Sequence, residues 1–367
     1  MICDHWEQIL RSIPASNRVF GAICGYPNNS MPLEDAMHTS LVRLFYIGSV
    51  LWICLVMPRL AAASSPEEKA TPVVLSTDVG NEIDDQWAIA YLFTNPAFDV
   101  RGVISAHAPS LPDPSAHATY LVLRDEVEHR LGLKVHAPLL EGSSHPLVDE
   151  QTPQPNAGTQ FLIDTSQAFG PDHRLTVLTI GAATDVASAI LEDPSIVNRI
   201  HVVAMAFSSS AVDGGREFNV ENDPKAWKVL LHSTVPLTVG PGETCRKYLA
   251  LNYDQARKLL YGHGPVSRWL WAEYQSWYFR NIKPLRINDF SGSWFIWDII
   301  TLADIESFAT ETEAPRPELG DDYSLRPQAG DKTILWITAV NSDRLWIDFT
   351  KHLDEFQQQH AVSDNDQ

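Results

Sequence analysis

The sequence predicts an α/β fold in which one mostly parallel central sheet is flanked by helices. Two observations predict it. Short apolar runs rich in β-branched residues alternate along the chain with stretches of helical character, and such alternation is typical of a parallel sheet covered on both faces. The chain has 367 residues, of which 44% are hydrophobic and 20% charged, enough for one large globular domain.

The predicted elements follow one another in a regular order. The first strand is the run PVVLS, bounded by Pro72, and Asp78 stands at its carboxyl end. Further strands are predicted at residues 100–105, 175–180, 200–205 and 235–239. Helices are predicted at residues 184–191 and 223–232, with an aromatic-rich helix at residues 269–278.

Acidic residues crowd the segment between the first strand and the helix after it, namely Asp78, Glu82, Asp84 and Asp85. Ligands of open α/β sheets bind outside the carboxyl ends of the strands, so the segment lies where a functional site is expected. Carboxylates this close repel one another unless something positive intervenes, and a hard cation such as Ca²⁺ or Mg²⁺ takes oxygen ligands of this kind. The alternative is that Asp84 and Asp85 merely cap the helix.

The segment from Ser76 to Asp85, STDVGNEIDD, resembles the signature of the inosine-uridine nucleoside hydrolase family, which usually reads Asp-x-Asp-Pro-Gly-x-Asp-Asp. Here Ser76 replaces the first aspartate, Val79 replaces the proline, and two extra residues lengthen the loop. The resemblance implies a single Rossmann-like domain with the nucleoside hydrolase architecture.

The resemblance continues at further places in the same order. LTVLTIGAATDVASAI is similar to the family's strand, Gly-x-x-Thr turn and helix, with Thr184 matching a threonine whose backbone carbonyl binds calcium. IHVVAMAF and REFNVENDPKAWKVLL resemble the Met-containing strand and the Glu-Phe-Asn ribose-binding segment. SWFIWDIITLADI resembles the segment with the last calcium-ligating aspartate, which is Asp298 here, and TAVNSDRLWIDFTKHLDEF resembles the final strand and helix.

This resemblance implies Ca²⁺-dependent hydrolysis of the N-glycosidic bond of ribonucleosides, giving ribose and free base. A metal acidifies a bound water, and Asp78 would take the proton as general base. The implied calcium ligands are Asp78, Asp85, Asp298 and the carbonyl of Thr184. The implied substrate-binding residues are Asp84, Met205, Glu217, Phe218 and Asn219, with Asn156 of PNAGTQFL matched to a ribose- or base-side position. No candidate for a covalent nucleophile is evident, so single displacement with inversion is expected.

The side of the site that faces the leaving base differs from the family pattern, because Trp297 stands where the family often has histidine and cannot donate a proton as histidine would. One hypothesis is that Trp297, with Trp294 or Trp87, stacks on a purine so that solvent protonates it. A second is that His107, after the strand RGVISAHAP, transfers the proton. The alternatives without a catalytic role are that Trp297 packs in the core and that His107 is a structural residue. Glu82 either contacts the metal or substrate or faces solvent.

Other functions remain open at this point. The same fold would serve a hydrolase of another N- or O-glycoside. It would also serve a non-catalytic, Ca²⁺-dependent nucleoside- or sugar-binding protein. A magnesium phosphatase with an aspartyl nucleophile is disfavoured, because the sequence around Asp78 offers no lysine or arginine poised for phosphate.

The chain before the first strand is predicted to be a leader. Residues 1–36 are interpreted as an over-extended N-terminus, with Met37 as the natural start, and residues 37–63 as a signal peptide with Arg43 before an apolar run and small residues at 61–63. We expect a secreted or periplasmic protein without stable membrane insertion after processing. A membrane anchor is the alternative, although spanning normally needs about 20 apolar residues. The catalytic domain is predicted at residues 72–357 and a flexible tail at 358–367.

The net charge restricts the binding partners of the protein, and the cysteine content restricts its disulfides. The formal net charge of −19 disfavours nucleic acid and anionic membranes and suits a small, weakly charged substrate. Only Cys245 follows the leader, so no internal disulfide is expected in the mature protein, which does not exclude export. Relatives in the family commonly oligomerise, which implies that this chain forms homo-oligomers.

Overall fold

The computed structural model describes residues 70–133, 137–282 and 292–363, so the predicted leader lies outside the described residues. The strands are β1 Thr71–Thr77, β2 Phe98–Ser105, β3 Leu139–Glu141, β4 Leu175–Thr179, β5 Ile200–Met205, β6 Leu237–Gly240, β7 Ala250–Asn252, β8 Ser293–Phe295, β9 Ala309–Pro315, β10 Pro317–Leu319, β11 Leu325–Pro327 and β12 Thr333–Val340.

The α-helices are α1 Asp84–Thr94, α2 Ser115–Asp125, α3 Ala157–Ser166, α4 Thr184–Glu192, α5 Phe218–Asn222, α6 Pro224–His232, α7 Gly242–Tyr248, α8 Tyr253–Leu260, α9 Gly264–Trp277, α10 Ile299–Ile305 and α11 Ser342–Ser363. Short π-helical turns at Glu126–Arg130 and Tyr278–Ile282 continue α2 and α9, and a 3₁₀ turn spans Pro194–Asn198.

Eight of these strands form one sheet in the order β3-β2-β1-β4-β5-β6-β12-β9. Every neighbouring pair is parallel except β12 with β9, which is antiparallel. The predicted fold class is therefore confirmed, a mostly parallel central sheet flanked by helices.

Strand β1 is buried on both faces, which explains why its sequence is continuously apolar rather than alternating. Val73 and Leu75 belong to the hydrophobic cluster on one face of the sheet, together with Trp87. Val74 belongs to the cluster on the other face, together with Ile104. Two cores thus hold β1 at the centre of the domain.

The order of the strands creates a crevice beside the end of β1. From β1 the chain proceeds to β2 and β3 on one side, and β4, β5 and β6 lie on the other, so β1 and β4 flank the point where the topology reverses. Gly181 follows β4, and a β-carbon there would lie 2.9 Å from the β-carbon of Asp78. Glycine therefore lets the two strand ends approach closely at this point.

The last helix enters the segment for which a flexible tail is predicted, residues 358–367. Helix α11 continues to Ser363, and residues 364–367 lie outside the described residues. The Nδ1 atom of His360 lies 2.8 Å from the carbonyl oxygen of Phe356, and the two rings pack at 4.0 Å between centroids. These contacts of the last turns extend the helix. Within the described part of the chain, no helix combines the length and the apolar character needed to cross a membrane.

Candidate active site

A cavity of about 240 Å³ opens at the carboxyl edge of the sheet, beside the ends of β1, β4 and β5. Acidic and polar side chains line it together with two tryptophans, a phenylalanine and two arginines. The lining residues are Asp78, Asn81, Glu82, Asp84, Asp85, Ile180, Met205, Ser208, Arg216, Glu217, Phe218, Asn219, Gly242, Arg246, Trp294, Trp297 and Asp298.

Three buried carboxylates form a compact group in this cavity. Asp84 and Asp85 open α1, and Asp298 directly precedes α10; one oxygen from each lies within 4.8 Å of the others. Asp84 and Asp85 occupy the first turn of α1, and neither is its N-cap, which is Ile83 without a side-chain cap hydrogen bond. The group has the oxygen donors that a divalent cation requires.

The electrostatics of these carboxyl groups also favour a cation. Burial, followed by repulsion from neighbouring carboxylates, raises the pKa of Asp84 and Asp298 well above the usual range, and these two share a hydrogen bond. Burial raises the pKa of Asp85 to about 7, although the Thr77 hydroxyl donates a hydrogen bond to it. Among the described residues, no ion pair joins this trio to a basic side chain. Protons or a cation must therefore neutralise the trio, and its donor set fits Ca²⁺ or Mg²⁺.

Asp78 lies at the edge of the trio, directly after β1, and is only 3% exposed. Its Oδ2 atom accepts a hydrogen bond of 2.5 Å from the Asn81 amide, which fixes the orientation of the carboxyl group. Burial, and then the charge of Asp85, raises the pKa of Asp78 well above the usual range. Sequence reasoning grouped Asp78 with the metal ligands and Asp84 with the sugar; in the structure Asp84 belongs to the compact trio.

Thr184 does not line the cavity, contrary to its predicted role. Its hydroxyl donates to Asp223 Oδ2 at 2.7 Å and lies 3.1 Å from His107 Nε2, at the fully buried start of α4. Ile180, at the end of β4, lines the cavity instead, and its carbonyl oxygen accepts a hydrogen bond of 3.2 Å from Asn219. The residue by which the segment after β4 reaches the cavity is therefore Ile180, four positions before the predicted one.

The predicted substrate-binding segment is brought together as expected. Met205, at the end of β5, and Glu217, Phe218 and Asn219 all line the cavity. Glu217 caps α5 by accepting hydrogen bonds from the backbone N–H groups of Asn219 and Val220, at 2.9 and 3.3 Å, and burial raises its pKa to about 7. The Asn219 amide also donates to the Met205 carbonyl at 3.1 Å. These bonds hold the segment rigid against the ends of β4 and β5.

Three other residues proposed from the sequence lie away from the cavity. Asn156 caps α3 and donates to Asp185 Oδ1 at 2.7 Å, so its side chain is occupied. His107 is buried beside Thr184, and burial lowers its pKa to about 4, so near pH 7 the ring lacks the second proton that an imidazolium acid would transfer. Trp87 is fully buried and stacks on Phe349 at 5.5 Å in the core.

Trp294 and Trp297 form the aromatic part of the cavity and face Glu82. Burial, followed by the charge of Asp85, raises the pKa of Glu82 to about 7, while hydrogen bonds with the two tryptophans lower it. Glu82 therefore belongs to the cavity wall rather than facing solvent. Trp297 packs against the core and also borders the cavity, so the two interpretations of this residue are compatible.

Sequence reasoning missed the two cavity arginines. Arg246 lies in α7, shortly after β6, and Arg216 directly precedes the Glu-Phe-Asn segment. Ligands bind near the carboxyl ends of strands, and this rule would have predicted a site residue in the segment after β6. Arg246 lies in that segment. Asn81, which lies in the lengthened loop and orients Asp78, was also not among the residues predicted from the sequence.

Comparison with known proteins agrees with this geometry. Residues 73–346 match the sequence profile of the inosine-uridine preferring nucleoside hydrolase family. Uridine nucleosidase 1 of Arabidopsis thaliana is 25% identical over 199 residues, and the alignment covers 47% of this chain but only 56% of that protein. A purine-preferring ribonucleoside hydrolase from Gardnerella vaginalis has a similar structure (TM-score 0.61, 19% identity, 78% of this chain and 99% of that chain). A plant nucleoside hydrolase is equally similar (TM-score 0.62, 15% identity, 77% and 99%).

Proposed function

Because this chain belongs to the inosine-uridine preferring nucleoside hydrolase family, we propose that it hydrolyses the N-glycosidic bond of ribonucleosides and releases ribose and free base. One observation carries the proposal. A single cavity at the switch point of the sheet combines the buried carboxylates of Asp78, Asp84, Asp85 and Asp298 with the hydrogen-bonding pair Glu217 and Asn219.

The proposed cofactor is Ca²⁺, which would be held by Asp84, Asp85 and Asp298, with Asp78 at their edge. A calcium ion tolerates the high and flexible oxygen count that several carboxylates, a backbone carbonyl and sugar hydroxyls provide. When bound, the cation supplies positive charge that makes a nearby water more acidic.

Asp78 is the proposed general base. Its carboxyl group borders the cavity, and the hydrogen bond from Asn81 to Oδ2 leaves Oδ1 to accept a proton from the attacking water. The water oxygen forms a bond to C1′ of the ribose while the bond from C1′ to the base nitrogen breaks. This is a single displacement, with inversion at C1′.

Glu217 and Asn219 are the proposed partners of the ribose hydroxyls. Replacing Glu217 by glutamine should lower kcat/KM by a factor that corresponds to about 1–3 kcal/mol, because a charge-assisted hydrogen bond to the sugar is weakened. Steady-state kinetics with inosine and uridine measure this effect. Glu318→Gln, at an exposed position in β10, is the matched control. Equal kcat/KM for Glu217→Gln and the wild type would remove Glu217 from the sugar site.

The experiment that tests the proposal is ribose release from a panel of purine and pyrimidine ribonucleosides. A reducing-sugar assay is run with added calcium and with excess chelator. We expect calcium-dependent release from at least one ribonucleoside, and the relative rates rank the bases. Saturable binding of nucleosides without any ribose would instead indicate the binding-protein alternative. Release of sugar only from other glycosides would indicate a different substrate on the same fold, an alternative favoured by Trp297 at the leaving-group side.

A further inference from the structure

Arg246 occupies the aromatic part of the cavity, where no role has been assigned to it. Its Nη2 atom donates to the carbonyl oxygen of Ser208 at 3.1 Å, and its guanidinium carbon lies 5.9 Å from the centroid of the Trp297 ring. Both contacts restrict the side chain although it is exposed to solvent at the cavity mouth. A guanidinium group has five N–H donors, so several remain for a ligand.

The two cavity arginines differ in how their charge is used. Arg216 forms an ion pair with Glu221 and lies 4.4 Å above the Tyr323 ring. Arg246 forms no ion pair with any carboxylate in the described ranges 70–133, 137–282 and 292–363. The cavity therefore combines several carboxylates, which suit a cation and a sugar, with one arginine beside Trp297 that has no ion-pair partner among the described residues.

We propose that Arg246 is the leaving-group residue: it hydrogen-bonds the departing base and stabilises the negative charge that the base acquires when the glycosidic bond breaks. This inference rests on the proposed nucleoside hydrolysis and assigns the leaving-group role to one residue of that site.

The reaction balances without a protein acid on the base side. The water oxygen bonds to C1′ and its proton passes to Asp78. The electron pair of the C1′–N bond moves to the base, which departs as an anion paired with Arg246. A solvent proton then neutralises the base, and Asp78 returns its proton to solvent. The sum is riboside plus water giving ribose plus neutral base.

The chemistry of the neighbours supports this division of roles. Trp297 cannot act as the acid, because its indole N–H donates a hydrogen bond but does not give up its proton near neutral pH. The guanidinium group of arginine stays charged at every relevant pH and presents a fork of N–H donors that matches planar acceptors. Positive charge fixed where negative charge develops lowers the barrier, and the nearby Trp297 ring helps to hold the cation.

The test compares Arg246→Ala and Arg246→Lys with wild type and with Arg257→Ala, a control on the exposed side of α8. Substrates are uridine and 4-nitrophenyl β-D-riboside, whose leaving group is a stable anion without help. We expect Arg246→Ala to lower kcat for uridine by about 10²–10³-fold, the usual cost of one lost donor to a developing anion. The loss with the nitrophenyl riboside should be much smaller, and Arg246→Lys should recover part of the uridine activity.

Three outcomes would overturn the inference or its basis. Equal losses on both substrates would mean that Arg246 acts on folding or sugar binding rather than on the leaving group. Unchanged kcat for uridine in Arg246→Ala would remove Arg246 from the reaction altogether. If the wild type releases no ribose from any ribonucleoside in the presence of calcium, the proposed function itself fails. If the wild type is active and Arg246→Ala is equally active, only the inference about Arg246 fails.

Discussion

Asp78→Asn is expected to lower kcat for ribose release by about 10²–10⁴-fold, the contribution usual for a positioned general base. Asparagine has nearly the same shape and can keep a hydrogen bond to Asn81, but it cannot accept the proton of the attacking water. The measurement is the initial rate of ribose release at saturating nucleoside and calcium. The KM for the nucleoside should change much less than kcat.

The matched control is Asp172→Asn, which changes an exposed carboxylate in a turn. Calcium-induced thermal stabilisation of Asp78→Asn separates the two roles that sequence reasoning gave to Asp78. Because the compact trio consists of Asp84, Asp85 and Asp298, the variant should keep most of this stabilisation while losing turnover. A variant that turns over nucleosides at the wild-type rate would show that another group accepts the proton. If calcium no longer stabilises Asp78→Asn against thermal unfolding, Asp78 acts chiefly as a ligand of the cation.

The parts of this molecule that depend on local pattern were predictable from sequence. Strand β5 has the predicted bounds, and Asp78 directly follows β1, since buried parallel strands have a continuous apolar signature. The acidic loop and the Glu-Phe-Asn segment converge because they follow β1 and β5, whose carboxyl ends lie at the same edge of the sheet. Asp298 joins them from the segment between β8, a strand of a separate two-stranded sheet, and α10. The order of the motifs was enough to predict this convergence.

The remaining parts depend on contacts that have no local signature. A backbone carbonyl carries no residue identity, so Ile180 could not be distinguished from Thr184 before their surroundings were known. His107 was expected at the site because it follows a strand, but its ring is buried against Thr184. The position of Arg246 near Trp297 joins segments distant in the chain, and only tertiary structure brings them together.

Calcium should stabilise the protein more strongly at high pH than at low pH, because protons and the cation compete for the same oxygens. In the metal-free folded chain, burial raises the pKa of Asp85 to about 7 and raises those of Asp84 and Asp298 well above their usual range. The pKa of an unfolded aspartate is about 3.9. Between these values the folded chain binds more protons than the unfolded chain, so the contribution of these groups to stability falls as the pH rises.

A bound cation removes this penalty and adds a stabilisation that grows with calcium concentration relative to Kd. Thermal unfolding with calcium and with chelator, at about pH 5.5 and about pH 8, measures the effect as a difference in Tm. The histidines with lowered pKa, His107 and His201, titrate in both calcium and chelator samples, so their opposite pH dependence cancels in this difference.

Asp298→Asn tests the repulsion among the buried carboxylates, and their binding of a cation, by removing one of them. Removing one carboxylate from the trio eliminates a ligand, so the calcium-induced rise in Tm and the calcium-dependent activity should both be largely lost. Without calcium, the same substitution relieves the repulsion among buried carboxylates, so at about pH 8 the variant should unfold at a higher temperature than wild type. A metal-free variant that is less stable than wild type at that pH would mean that Asp298 serves packing or hydrogen bonding rather than a cation. An undiminished calcium response would move the cation site away from the trio.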